Sequence, residues 1–185
     1  NDRPEQEACF KCEAGTFQDA EGATGCKPCT DGYYCAEGAA AALPCPGGTT
    51  KREGVIMTSK DDCDVCPLGT FCPVGSAAAT ACSAGTYNDR PEQEACFKCE
   101  AGTFQSKVGQ TECVPCTNGY CIEGSSFPVS CESGGGLPNA QTLINGARSS
   151  EDCVCKPGFY ANVTQQGADR LHCVEWCHCQ GLKRL

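Results

Sequence analysis

Large apolar residues are scarce in this chain: Leu, Ile, Val and Phe together fill only about a seventh of its 185 positions. A fraction that low, combined with a net charge of −9, excludes a single large hydrophobic core and would by itself describe a disordered chain. Basic residues are also few. Fourteen Lys and Arg stand against 23 Asp and Glu and form no cluster that would neutralise phosphates, so a nucleic-acid partner is not expected. No stretch reaches the roughly 18 apolar residues that cross a bilayer, and no membrane insertion is expected within this segment. The chain opens on polar "NDRPEQEA" rather than a basic and then apolar leader, as a mature part or fragment of a longer secreted protein would.

Catalytic signatures are missing as well. There is no nucleophile motif and no acid/base pair, and "ESGGGLPN" (132–139) is glycine-rich but has no following helix or Lys to cradle a phosphate. The chain reads as neither an enzyme nor a cofactor protein.

What the chain does have is 21 cysteines, more than a tenth of its length. At that density covalent cross-links must supply the order that apolar burial cannot. The cysteines are set in repeats. The eighteen residues "NDRPEQEACFKCEAGTFQ" at 1–18 return unchanged at 88–105, and a shift of 87 aligns 1–48 with 88–134 after one deletion. Beyond the identical block, Gly22, Cys26, Cys29, Gly32 and Tyr33 meet Gly109, Cys113, Cys116, Gly119 and Tyr120, and Cys35 and Cys45 then meet Cys121 and Cys131. A shorter frame is shared by 26–45, 63–82 and 113–131.

The smallest element is Cys-x-x-Gly, which begins at Cys12, Cys29, Cys45, Cys66, Cys82, Cys99, Cys116, Cys131 and Cys155. Its glycine predicts a tight turn just after a cross-linked cysteine, where the backbone needs positive φ or close approach. Nine of the thirteen aromatics follow it directly (Phe17, Tyr33, Tyr34, Phe71, Tyr87, Phe104, Tyr120, Phe159 and Tyr160), which predicts a small core in each repeat with an aromatic on a disulfide or turn. The Ala runs at 39–42 and 77–79 each lie in a nine-residue gap between cysteines, too short for an isolated helix of roughly 12–15 residues. Short two-stranded ribbons and turns, with almost no helix, are expected.

Two chemistries compete for the cysteines. Cys9-x-x-Cys12 followed by Cys26-x-x-Cys29 has the look of a four-thiolate zinc site, and five Cys-x-x-Cys pairs exist (9/12, 26/29, 63/66, 96/99 and 113/116). Against zinc, Cys35, Cys45, Cys72, Cys82, Cys121 and Cys131 intervene at matched spacings that a zinc ribbon does not require. Disulfides are the favoured reading. The Cys of each Cys-x-x-Gly most simply closes to the next cysteine, giving Cys12–Cys26, Cys29–Cys35, Cys45–Cys63, Cys66–Cys72, Cys82–Cys96, Cys99–Cys113, Cys116–Cys121, Cys131–Cys153 and Cys155–Cys173. For the short loops, crossed pairs such as 29–45 with 35–63 fit the spacing equally well. Cys9, Cys177 and Cys179 are left over. Cys96, the counterpart of Cys9, is preceded by Cys82, whereas no such cysteine stands ahead of Cys9, so the chain reads as cut mid-repeat. His172, Cys173, Cys177, His178 and Cys179 form a second candidate metal cluster, with disulfide cysteines and surface histidines as the plainer reading.

"CFKCEAGTFQDAEGATGCKPC" (9–29) resembles the extracellular cysteine-rich repeats called ephrin-receptor-like, themselves similar to tumour-necrosis-factor-receptor and EGF-like modules. "CVCKPGFYANVTQQGADRLHC" (153–173) is similar to the C-terminal half of an EGF-like module. The resemblance implies an extracellular, elongated tandem array of disulfide-bonded modules. The chain departs from it in the long, Gly-rich 131–153 loop and in having no calcium signature. "KDDC" (60–63) and "SEDC" (150–153) read as solvated loop charges rather than calcium ligands.

The resulting organisation is a first cysteine-rich repeat at 1–87, with sub-units at about 9–45 and 46–87. A second repeat at 88–152 is shortened or diverged after 134, and 153–185 holds the EGF-like half and a partial further unit. Asn162-Val-Thr164 is a sequon in a polar loop, so an N-glycan is expected at Asn162. The expected function is a structural rod, stalk, filament or surface-coat segment, associating with copies of itself or with neighbouring surface proteins. The alternative is a ligand-binding ectodomain of a receptor or adhesin that uses the distinctive loops 46–62 and 132–152. A multi-zinc protein is the minor alternative.

Overall fold

The structure, a computed structural model, describes residues 10–134, 137–163 and 171–175. Among the described residues there is no α-helix. Their regular structure consists of eight two-stranded ladders and two single-turn 3-10 helices, Lys60–Asp62 and Ser150–Asp152. The fold is a disulfide-rich series of small ribbons, as the composition predicts, and neither Ala run is helical.

The local structure follows from the Cys-x-x-Gly-Thr-aromatic pattern. The Thr after the glycine returns both its backbone N–H and its hydroxyl to the carbonyl three residues back. Thr16 does so to Glu13 (3.0 and 2.7 Å), Thr86 to Ser83 (3.0 and 2.7 Å) and Thr103 to Glu100 (3.0 and 2.8 Å). This closes the turn and launches a two-residue strand whose partner is the link ahead of the next disulfide. Thr16–Phe17 pairs antiparallel with Lys27–Pro28, and Thr103–Phe104 pairs with Val114–Pro115 in the same register. Pro28 and Pro115 are tolerated because a two-stranded ribbon has only edges. Ribbons this short do not persist alone in water, so cross-links and bonds between loops must hold them.

Nine disulfides join the cysteines in chain order, without crossing: 12–26, 29–35, 45–63, 66–72, 82–96, 99–113, 116–121, 131–153 and 155–173. Each Cys-x-x-Cys within the described residues therefore splits its cysteines between two bonds, one closing a loop and the other opening the next. Cys26 bonds Cys12 while Cys29 bonds Cys35. Cys9, Cys177 and Cys179 lie outside the described residues.

Successive loops are tied by a recurring pair of backbone bonds. The turn glycine accepts from the cysteine that opens the next loop, as in Cys29 N–H to Gly15 and Cys82 N–H to Gly69 (both 2.9 Å). The opening cysteine's carbonyl in turn accepts from a residue farther along, as in Gly75 N–H to Cys45 (2.9 Å), Gly109 N–H to Cys82 (2.7 Å) and Gly124 N–H to Cys99 (2.8 Å). These approaches are close. A Cβ on Gly32 would collide with the carbonyl of Gly75, and one on Gly69 with that of Gly109.

The chain divides into two compact units. The first comprises Asn1–Cys82, Asn88–Phe97 and Gly109–Thr111, and holds five of the disulfides. Its apolar cluster is Cys45, Cys63 and Met57, with Tyr34 packed against it. The second comprises Ser83–Tyr87, Lys98–Val108 and Glu112–Leu185, and clusters Tyr120, Cys131, Ala140, Ala147 and Cys173, with Phe159 against them. The largest fully buried side chains are eight cysteines and Asn88, so sulfur occupies the place that branched aliphatics take in an ordinary core.

Candidate functional site

Disulfide span sorts the loops into three classes. Cys12–Cys26, Cys82–Cys96 and Cys99–Cys113 each close over 14 positions with Cα atoms 5.7 Å apart. Cys29–Cys35, Cys66–Cys72 and Cys116–Cys121 are short, spanning six, six and five positions. Cys45–Cys63 and Cys131–Cys153, the long counterpart loops of the two repeats, span 18 and 22, and the C-terminal Cys155–Cys173 loop spans 18. The long loops contain the segments 46–62 and 132–152, which are the candidate interaction regions.

Both long loops end on the same capped turn. In the first, one oxygen of Asp62 accepts from the N–H groups of Thr58 (2.8 Å) and Ser59 (2.9 Å) and from the Thr58 hydroxyl (2.9 Å). These bonds, led by the Thr58 N–H, hold the Asp62 carboxyl below the usual carboxylate range. In the second, Asp152 accepts from the N–H groups of Arg148 (2.7 Å) and Ser149 (3.2 Å). The reading of "KDDC" and "SEDC" as solvated charges is thus corrected for Asp62 and Asp152, which are engaged by backbone donors just ahead of the closing cysteine. Ser-x-x-Asp before a cysteine, a capping-box spacing, is the sequence signal for this.

After Cys131 the chain turns at 131–134, where Gly134 is needed for close approach, since a Cβ there would collide with Val129. Gly134 does not take positive φ; Asn139 does, at φ 61°. Asn139 accepts the N–H of Lys156 (2.8 Å) as Gly48 accepts that of Cys66 (2.9 Å). The segment between Cys131 and Asn139 is an insertion ahead of the turn, and the counterpart architecture resumes beyond it. Ala140–Thr142 pairs with Cys153–Cys155 as Thr49–Thr50 pairs with Asp64–Val65. Buried Ala147 accepts the N–H of Cys121 as buried Met57 accepts that of Cys35.

Each long loop exposes adjacent aliphatic side chains: Val55 and Ile56 (40% and 69%) in one, Leu143 and Ile144 (73% and 61%) in the other. Beside the first pair, a cleft of about 190 Å³ is lined by Asp31, Tyr33 and Lys51, with Lys51 Nζ 2.6 Å from Asp31. A second cleft, of about 250 Å³ in the other unit, is lined by Gln141, Glu132 and Lys156. The last two form an ion pair at 2.6 Å that draws the Glu132 carboxyl below its ordinary range. Both clefts fall short of the roughly 300 Å³ at which small-molecule sites begin, so the arrangement suits a surface contact rather than an enclosed ligand.

Among the described residues no three His, Cys, Asp or Glu side chains are grouped to hold a metal ion. Of the second candidate cluster, Cys173 is bonded to Cys155, whereas Cys177, His178 and Cys179 lie outside the described residues. Asn162 does not lie in a loop. It belongs to the strand Phe159–Val163, which pairs antiparallel with Leu171–Glu175 and sets Asn162 opposite His172. Thr164, which completes the sequon, lies outside the described residues. No helix among the described residues is long and apolar enough to cross a membrane. No family model and no curated protein matches the chain.

Proposed function

We propose that this chain is part of an extracellular structural protein, a rod, stalk, filament or surface-coat segment of ephrin-receptor-like and EGF-like modules that associates with other proteins or with copies of itself. One observation carries this reading: the same backbone pattern ties loop to loop in both units, from Cys29 N–H on Gly15 to Cys116 N–H on Gly102 (both 2.9 Å). A pattern that uses only backbone and disulfides can be repeated without a new core each time, as a structural array requires. Nine disulfides fit an oxidising compartment, and an N-glycan at Asn162 accords with that location. Small-angle scattering and analytical ultracentrifugation test the proposal. An extended particle that self-associates with concentration is expected, and a compact monomer at all concentrations would refute it.

The second reading, a ligand-binding ectodomain, is supported by the exposed Val55–Ile56 and Leu143–Ile144 pairs. Such pairs on loops that differ between repeats fit selective recognition better than repetitive assembly. Replacing both pairs by Ser would abolish ligand capture on this reading and leave self-association intact on the first.

A further inference from the structure

The 14-position loops share a feature that disulfide geometry does not require. Six residues after the opening cysteine stands a primary amide: Gln18 after Cys12, Asn88 after Cys82 and Gln105 after Cys99. Each amide donates to the carbonyl of the residue immediately ahead of the closing cysteine. Gln18 Nε2 bonds the Gly25 carbonyl, Asn88 Nδ2 bonds that of Ala95 at 3.2 Å, and Gln105 Nε2 bonds that of Glu112 at 2.7 Å. The amides are themselves aimed. Gln18 Oε1 accepts the N–H of Ala20 and Gln105 Oε1 that of Lys107, both at 3.0 Å, which turns each NH2 toward the closing strand. The shorter Asn88 is fixed instead by a second bond to the Thr70 carbonyl at 2.8 Å and is fully buried. In the two six-position loops the same place is taken by the closing cysteine itself, Cys35 after Cys29 and Cys72 after Cys66.

We infer that Gln18, Asn88 and Gln105 are pairing selectors, amides that hold the closing cysteine beside its partner before the bond exists and so direct oxidation to the 14-position loop. The chain needs such a device because neighbouring cysteines are close competitors: from Cys99, both Cys113 and Cys116 lie within reach. Disulfide bonds form only at a specific Cα separation, so a hydrogen bond that fixes the residue next to Cys113 favours Cys113 over Cys116. The chemistry is ordinary exchange with a low-molecular-weight disulfide. The Cys99 thiolate attacks it, forming a mixed disulfide and releasing one small thiolate. The Cys113 thiolate then attacks the Cys99 sulfur and displaces the second. Two protons leave the protein thiols, and its two electrons depart on the released thiols.

The test is oxidative refolding of the reduced full chain in glutathione buffer, with acid quenching in the first minute, alkylation and peptide mapping by mass. Gln105→Met keeps the size of the side chain and removes the amide, and Gln105→Asn keeps the amide, as at Asn88. The ratio of Cys99–Cys113 to all other Cys99 pairings should fall by roughly two- to tenfold in Gln105→Met, the range a single net hydrogen bond supplies, and recover in Gln105→Asn. Early quenching reads pairing before folding is complete, so a variant that later precipitates still gives the ratio. Equal ratios in wild type and Gln105→Met would overturn the inference even if the variant were less stable once folded. So would a Gln105→Asn chain as poor as Gln105→Met.

Discussion

Gly32 lies directly under the carbonyl of Gly75, at φ +83° and with no room for a Cβ. Gly32 lies in the loop closed by Cys29–Cys35 and Gly75 in the link between Cys72 and Cys82, so this approach packs one disulfide loop against the link that follows another. Gly22, at φ +70°, has nothing within 4 Å of where its Cβ would be.

The two glycines therefore separate backbone strain from close approach. Gly22→Ala should lower stability by about 1 kcal/mol, the cost of a left-handed backbone for an L side chain. Gly32→Ala adds displacement of the Gly75 carbonyl and should cost about 3 kcal/mol, at the upper end for local strain. Thermal unfolding of the two variants side by side gives the comparison, and equal losses would mean that the loop and the link are not in contact at Gly75.

Glu92 occupies a place that glycine holds elsewhere. Its N–H bonds the Cys66 carbonyl at 3.0 Å, as that of Gly75 bonds Cys45, and its φ is +61°. Glu92→Gly should stabilise the chain by about 1 kcal/mol by relieving that backbone, even though it removes a side chain. Denaturant unfolding should show a higher midpoint for the variant; a lower one would place the Glu92 side chain in a stabilising contact.

Acid should loosen the 45–63 loop through Asp62. Its carboxyl is held below the ordinary carboxylate value, so between the two values the unfolded chain binds the extra proton. The contribution is complete above the ordinary value of about 3.9 and disappears as pH falls through the lower folded value. Asp62→Asn should lower stability at neutral pH and flatten the acid limb of a stability–pH curve. Curves that run parallel to wild type would show that the carboxylate is not engaged.

Covalent closure, not metal, should hold the fold. A closed loop of about 15 residues contributes about 3 kcal/mol in the chain-entropy account, and three loops here are of that size. Reductant should abolish the near-ultraviolet circular dichroism of the packed aromatics Tyr34, Tyr120 and Phe159, whereas a chelator should leave the melting temperature unchanged. Unfolding by the chelator alone would restore the zinc reading.

The cysteine and glycine spacings made the fold readable, because a covalent bond between near neighbours leaves few arrangements once each Cys-x-x-Gly is taken as a turn. What the spacings concealed is equally physical. Asn139 rather than Gly134 takes the left-handed backbone after Cys131, because Asn also accepts that conformation and the spacing from the cysteine is lengthened by the insertion. Asp62 and Asp152 passed as surface charges because their partners are backbone N–H groups, which no side-chain pattern shows. The bonds of Gln18, Asn88 and Gln105 are not written in the sequence, because their partners are backbone carbonyls, in all three just ahead of a closing cysteine. Function was less readable for a plain reason: the exposed aliphatic pairs Val55–Ile56 and Leu143–Ile144 lie on long loops whose sequences differ between the repeats, so no repeated motif marks them.

Peptide mapping of the unreduced, natively folded protein tests the central claim most directly, namely that each Cys-x-x-Gly cysteine closes to the next cysteine and so makes one uncrossed loop per turn. The structure predicts fragments joined 12–26, 29–35 and 45–63 in the first long stretch and 99–113, 116–121 and 131–153 in its counterpart. Recovery of crossed fragments, 29 joined to 45 and 35 to 63, would contradict it.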